Sequence, residues 1–185
     1  MEPLKIGNLT IEKPIVQGGM GVAISLSGLA SAVAKQGGVG VISAAAIGMT
    51  EPGFEKNFRK ANKIALQKQI RHARSLTNGV LGVNLMVALS DYDDLLKVAI
   101  DEQIDMVFMG AGLPLKLPEF VLEKGFDNIH TKFIPKVSSA KAAKLIFQYW
   151  AAKFNHIPDA VVVEGPKAGG HLGFKKKELN EPHVA

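Results

Sequence analysis

Val161-Val162-Val163-Glu164-Gly165-Pro166-Lys167-Ala168-Gly169-Gly170-His171-Leu172-Gly173 decides how this chain is read. Three β-branched residues in succession predict a fully buried strand of a parallel sheet, where both faces are covered and alternation is lost. The polar run after them sets a carboxylate, a Gly-Gly pair and an imidazole at the strand's carboxyl end. In parallel α/β folds that edge is where ligands bind. Gly169 and Gly170 let backbone come within contact distance of a flat ligand, which no pair bearing side chains would allow. His171 follows them, and an imidazole with an ordinary pKa of about 6.5 suits proton transfer near neutral pH. The same residues also fit a glycine-rich turn whose histidine caps the next helix.

Working outward, the same strand-then-helix pattern recurs. Leu4 to Lys13 alternates apolar and polar residues on either side of Gly7-Asn8, a small hairpin. Pro14-Ile15-Val16-Gln17 reads as a short buried strand ending in Gly18-Gly19-Met20-Gly21. A helix from about Ser27 to Lys35 follows, with a serine cap and Gly37-Gly38 as terminator. Val39 to Ile42 is the second strand, and Thr50-Glu51-Pro52 starts a long helical region reaching Leu76. Val80 to Leu85 is the third strand, and Asp91 caps a helix to about Glu102. Asp105 to Met109 is the fourth, with a short helix from Pro118 to Lys124. Lys132 to Val137 is the fifth, although Pro135 counts against a central position. Ser138 or Ser139 caps an amphipathic helix to about Lys153, and Ala160 to Glu164 is the sixth strand.

Such alternation means parallel strands joined by right-handed crossovers. An open doubly wound sheet would concentrate ligand groups at one switch point. Here each strand ends in a small or polar residue suited to a shared mouth: Gly18-Gly19, Ser43, Asn84, Gly110, Lys136 and Glu164. A TIM (β/α)8 barrel is therefore the expected α/β fold. Such a barrel takes eight strands and about 250 residues. The 185 residues supply about the first six strands, and the tail from Lys175 to Ala185 is polar. The expectation is a single, incomplete barrel domain over residues 1–185, truncated or partly recorded, since a hydrophobic sheet with two open edges would aggregate.

Composition narrows the class. The chain is 47% hydrophobic and 21% charged, which fits one compact domain. No apolar run approaches the roughly 18 residues of a membrane span, and Met1 to Lys5 lacks the apolar core of a signal peptide. With no cysteine there is no disulfide framework, thiolate metal site or cysteine nucleophile, and cytoplasm is the expected address. The net charge of +5 comes from dispersed lysines; Lys175-Lys176-Lys177 is the one tight run. Without interleaved aromatics this reads as solvated helix faces rather than a nucleic-acid surface. An anionic small ligand remains compatible. His72, His130, His156 and His183 lie in helix or linker contexts with no metal-ligand spacing, and none is assigned a role.

Pro14-Ile15-Val16-Gln17-Gly18-Gly19-Met20, Gly82-Val83-Asn84, Ile134-Pro135-Lys136-Val137-Ser138-Ser139 and Ala168-Gly169-Gly170-His171-Leu172-Gly173 together resemble the nitronate monooxygenase family, formerly the 2-nitropropane dioxygenases. The similar flavin-dependent enoyl-acyl-carrier-protein reductases of type II share most of these motifs. The resemblance covers nearly the whole chain and implies an FMN-containing TIM barrel, with the flavin across the carboxyl-end mouth. It implies that Gly19 and Met20 meet the isoalloxazine, that Asn84 hydrogen-bonds it and that Lys136 reaches it or its ribityl chain. Glu164 then lies near the ribityl hydroxyls, Gly169 and Gly170 form the closely approaching loop, and His171 is the catalytic base. Each has a plainer rival: Met20 as core, Asn84 as a partner for loop backbone, Lys136 as a surface lysine, Glu164 as a helix cap. In this family glycine-rich loops after strands seven and eight hold the FMN phosphate, and this chain stops short of them.

The expected activity is oxidation of nitronates or nitroalkanes to carbonyl compounds and nitrite, with dioxygen as co-substrate. The alternative uses NAD(P)H to reduce FMN, which then passes hydride to an enoyl thioester. A flavin-free binding or scaffold protein is the alternative of another class. The expected partners are thus small molecules, without nucleic acid or membrane, and an exposed barrel edge would favour a homo-oligomer.

Overall fold

The computed structural model describes residues 1–170 together with Gly173 and Phe174. The chain opens with an antiparallel hairpin, β1 (Leu4–Ile6) and β2 (Leu9–Ile11), whose turn uses Gly7 at φ +57°. A sheet of five parallel strands follows: β3 (Gly40–Ser43), β4 (Leu81–Met86), β5 (Met106–Gly110), β6 (Lys132–Val137) and β7 (Val162–Val163). Their spatial order is their sequence order, each pairing with the next. A doubly wound sheet would reverse direction at its switch point. Strictly sequential parallel order is the arc of a (β/α)8 barrel.

The crossovers are α1 (Ser27–Lys35), α2 (Phe58–Leu76), α3 (Tyr92–Asp101), the short α4 (Glu119–Lys124) and α5 (Ala140–Phe154). Period-two alternation splits the strand residues between two apolar clusters. Ile42, Val83, Leu85, Val107, Met109 and Phe133 pack with the helices. Val39, Val41, Met106, Phe108 and Ile134 face the other way, with Ile11 of β2. The hairpin thus plugs the amino-terminal end of the inner face; at Gly7 a Cβ would come within 3.0 Å of the Lys132 side chain at the start of β6. Toward the carboxyl ends the inner face turns polar: continuing the alternation brings up Ser43, Asn84, Gly110, Lys136 and Glu164.

Several expectations need correction. Pro14 to Gln17 is not a buried strand: it makes one bridge, Val16 to Val39, with Ile15 53% and Val16 44% exposed. Val161 to Val163 is not fully buried, since β7 is two residues long and Val163 is 73% exposed. Both segments border the sheet, where among the described residues only one neighbour covers each. A β-branched run reports propensity for extended backbone, not how many strands flank it. The helix expected from Thr50 starts at Phe58, because residues 44–56 run through successive turns and the Asn57 side chain accepts the Lys60 amide as the N-cap.

The caps of α1 and α3 also differ. Leu26, not Ser27, stands at the cap of α1; the Ser27 hydroxyl bonds Gln69 and His72 of α2 instead. Asp91 holds the cap position of α3, but its carboxylate accepts the Asn62 amide at 2.7 Å. Of the two serines expected to cap α5, Ser139 does so, accepting the Ala142 amide. Pro135 sits inside β6. Its missing N–H points to the side on which Phe133 and Val137 accept from Asp159 and Glu164, where paired strand starts only at Lys136. No helix of the described residues is long and apolar enough to cross a membrane.

Candidate functional site

Three strand tips build one cluster. Lys136, on β6, extends across Gly110 of β5 and donates to Asn84 Oδ1 of β4 at 2.5 Å. Gly110 makes this crossing possible: a Cβ there would stand 3.3 Å from Lys136 Cδ. Asn84 is buried, and its carbonyl accepts the Ala44 amide, which fixes the turn after β3. Gly19 closes over the same asparagine; a Cβ on it would lie 2.7 Å from Asn84 Cβ and 3.4 Å from Val41 Cγ1. The loop around Gly19 is held from both sides. Gln17 reproduces a strand partner with its side chain, donating to the Val41 carbonyl at 3.0 Å and accepting the Val41 amide at 3.2 Å. Ser25 Oγ accepts the Met20 amide, and Ser25 N–H donates to the Met20 carbonyl. Met20 itself projects its side chain, 63% exposed.

Burial pushes the Lys136 ammonium below its ordinary pKa, because the cation is stripped of water; the Glu164 carboxylate opposes this by favouring the charged form. Glu164 follows β7, anchored by its amide to the Val137 carbonyl at 2.7 Å. Its Oε2 accepts the Gly173 amide at 3.2 Å, and Ser138 Oγ donates to the Gly173 carbonyl at 2.9 Å. The inner face also carries a Ser43 hydroxyl that is buried and has no hydrogen-bond partner among the described residues.

Of the sequence-predicted residues, the structure thus brings together Gly19, Asn84 and Lys136, with Glu164 close enough to act on the Lys136 charge and Met20 beside Gly19. Gly169 and Gly170 are exposed; among the described residues nothing beyond their chain neighbours lies within 4 Å of a Cβ at either, and Gly170 has φ +86°. His171 lies outside the described residues. Gly110, Gln17, Ser25 and Ser138 went unassigned in the sequence. Gly110 left a trace there as a glycine at a strand tip, Gln17 and Ser138 only as members of the quoted motifs, and Ser25 none. The described cavities of about 570 and 560 Å³ lie elsewhere: one between Lys35, Arg74 and Asn78 at the amino-terminal end, the other between Val87, Tyr92 and Leu113. His130 pairs with Asp105 at that amino-terminal end, and His156 stacks on Phe126, so neither adds to the strand-tip cluster.

An arc of (β/α)8 barrel with a lysine, an amide and a carboxylate at its strand tips defines a class of barrel proteins with a ligand site at the carboxyl-end mouth. The family model described as Nitronate monooxygenase matches residues 2–184, and the chain belongs to that family. A relative from Mycobacterium tuberculosis, (3aS,4S,5R,7aS)-5-hydroxy-7a-methyl-1-oxo-octahydro-1H-indene-4-carboxyl-CoA dehydrogenase, is 28% identical over 174 residues, which is 94% of this chain and 41% of the relative. The dehydrogenase of the same name from Rhodococcus jostii is 27% identical, with 42% of its length covered. Among solved structures, FabK from Thermotoga maritima superposes with a TM-score of 0.66 at 34% identity, over 89% of this chain and 44% of that one. A nitroalkane oxidase from Streptomyces ansochromogenes also gives 0.66, at 20% identity, over 89% of this chain and 50% of that one, a likeness of fold. The chain therefore spans half or less of the length of each of these proteins.

Proposed function

We propose that the protein is an FMN-dependent oxidoreductase that converts nitronates, or nitroalkanes deprotonated to them, into carbonyl compounds and nitrite with dioxygen. The observation that carries this reading is the partly buried Lys136 ammonium, held by Asn84 on the inner face at the strand tips of a chain in this family. When bound, FMN supplies a reversible electron acceptor.

The residues fit such a group. Asn84 offers an amide, Lys136 a cation and Glu164 a carboxylate, and Gly19 lays bare backbone against Asn84. The Ser43 hydroxyl marks one more polar atom on that face without a partner among the described residues. Lys136 would bring positive charge to the ring system, where it favours the reduced, anionic form. An anionic partner also restores to the ammonium the stabilisation that burial removes. Glu164 would take ribityl hydroxyls, while Gly19, Met20, Gly169 and Gly170 would line the ring. His171 would take the proton from the carbon bearing the nitro group; this role rests on the sequence motif alone.

A second reading, NAD(P)H-driven reduction of an enoyl thioester, is favoured by the dehydrogenase relatives, whose name specifies a carboxyl-CoA compound. The full-length protein separates the two. Anaerobic bleaching of the visible flavin band by propyl-2-nitronate, with nitrite released in air, is the expected result. Bleaching by NADH and not by nitronate transfers the assignment to the second reading. Colourless protein that takes up no added FMN refutes both and leaves a flavin-free binding or scaffold role.

A further inference from the structure

Asp91 is a buried carboxylate at the amino end of α3 that does not cap its helix, and the proposed function gives it no part. Its partner is Asn62 of α2, also buried, whose Nδ2 donates to Asp91 Oδ2 at 2.7 Å. A carboxylate only accepts, so the asparagine turns its nitrogen to Asp91 and its oxygen the other way. That oxygen accepts the Gly48 amide at 2.8 Å. Gly48 belongs to the turns after β3, and its backbone lies directly on α2: a Cβ there would stand 2.5 Å from the Ala61 carbonyl carbon and 2.6 Å from the Asn62 nitrogen. One side chain thus joins the loop after β3 to the loop after β4.

The same turns carry the Met20 loop. The Val22 amide donates to the Ala45 carbonyl at 2.8 Å, and a Cβ on Gly21 would lie 3.0 Å from both Ala45 Cβ and the Ala45 carbonyl oxygen. Val22, Ala23 and Ala46, none of them glycine, have φ of +49°, +57° and +51°. For a β-branched valine that backbone is strained, and it persists only where neighbouring structure over-determines it. The strain lies on both sides of the Val22–Ala45 hydrogen bond, so the turn that receives the Met20 loop must itself be held. Asn62 holds it a few residues further on, at Gly48.

We propose that Asn62 is a positioning residue for the ligand-facing loop around Met20, acting through Gly48 and Ala45, and that Asp91 fixes the direction of its amide. The bearing on the ligand rests on the proposed flavin site; the tether from α2 to Val22 does not.

Hydrogen exchange in the full-length protein, read at single amides by NMR, tests each link. Gly48 reports the tether and Val22 the loop it supports. Lys132, whose amide donates to the Asp105 carbonyl at the other end of the sheet, reports global opening. Asn62→Ala orphans a buried N–H and a buried carboxylate; it should speed exchange at Gly48 about five- to hundredfold and at Val22 several-fold, with Lys132 unchanged. Asn62→Asp keeps an acceptor for Gly48 but sets carboxylate against carboxylate, and should open both amides as well. Adding Asp91→Asn supplies the missing donor, so the exchanged pair should return Gly48 and Val22 to near the wild-type rates. An exchanged pair as open, or as poorly folded, as Asn62→Asp overturns the tether. Val22 at its wild-type rate while Gly48 opens overturns the link to the Met20 loop, and an equal rise at Lys132 overturns both by making Asn62 a part of global stability. With FMN bound, its dissociation from Asn62→Ala should be several-fold faster than from wild type and slow again in the exchanged pair. Unchanged dissociation with an open Val22 amide overturns the ligand-facing role and leaves the tether standing. Protein that takes up no FMN refutes the flavin reading, and the exchange rates then decide the tether by themselves.

Discussion

Gly19→Ala tests the packing that holds the cluster together. The new methyl would stand 2.7 Å from Asn84 Cβ, 3.2 Å from Asn84 Cγ and 3.4 Å from Val41 Cγ1. Carbon atoms at rest are about 3.5–4.0 Å apart, so roughly 1 Å of overlap must be relieved. The loop cannot simply retreat, because Gln17 is bonded to Val39 and Val41 on one side and Met20 to Ser25 on the other. Asn84 cannot turn away without giving up Lys136. Overpacking of this kind costs about 1–3 kcal/mol. Gly18→Ala is the internal control, since among the described residues nothing beyond its chain neighbours lies within 4 Å of its Cβ. Neither glycine has a positive φ, so alanine should stiffen the unfolded chain similarly at both, a gain of about 0.4–1 kcal/mol. The difference between the variants therefore isolates the clash. Urea denaturation should place Gly19→Ala about 1–3 kcal/mol below Gly18→Ala at similar slope. Equal midpoints would refute the close packing of Gly19 on Asn84.

Three other outcomes follow from the same structure. Asp105→Ala removes a carboxylate that accepts the buried Leu81 amide and the Arg74 guanidinium, each at 2.8 Å, and should cost about 1–3 kcal/mol in urea denaturation, chiefly for the orphaned amide. Burial lowers the Lys136 pKa, so between that lowered value and its ordinary value near 10.5 the unfolded chain binds more protons; stability attributable to this residue rises with pH across that window, and Lys136→Met should abolish the increment in the wild-type minus variant difference. His156 is likewise held below its ordinary 6.5, first by burial against Phe126, so the folded state loses stability as pH falls through 6.5 toward the lowered value, and His156→Gln should flatten that acid limb of the denaturation curve.

Much of the chain was legible because its signals are local. The Gly7-Asn8 hairpin, the span of α1, the Ser139 cap and the positions of β3 to β6 follow from turn chemistry, helix caps and β-branched runs within a few residues of one another. The repeated strand-then-helix order was enough to expect a barrel arc, and the ordered pairing of β3 through β7 agrees with it. Family motifs singled out Gly19, Asn84 and Lys136 separately.

Tertiary structure alone decided the rest. Whether Val163 or Val16 is buried depends on how many strands flank it, which a residue's own propensity does not encode. That Gly110 clears the way for Lys136 to reach Asn84, 52 residues away in sequence, depends on the register of three parallel strands. The Gln17 side chain acting as a strand partner, Asp91 turning from its helix to Asn62, and the double grip on Gly173 share the same origin. A polar group bonds whatever the fold brings within 3 Å of it, and that neighbour is set by strand order and register, not by its place in the chain.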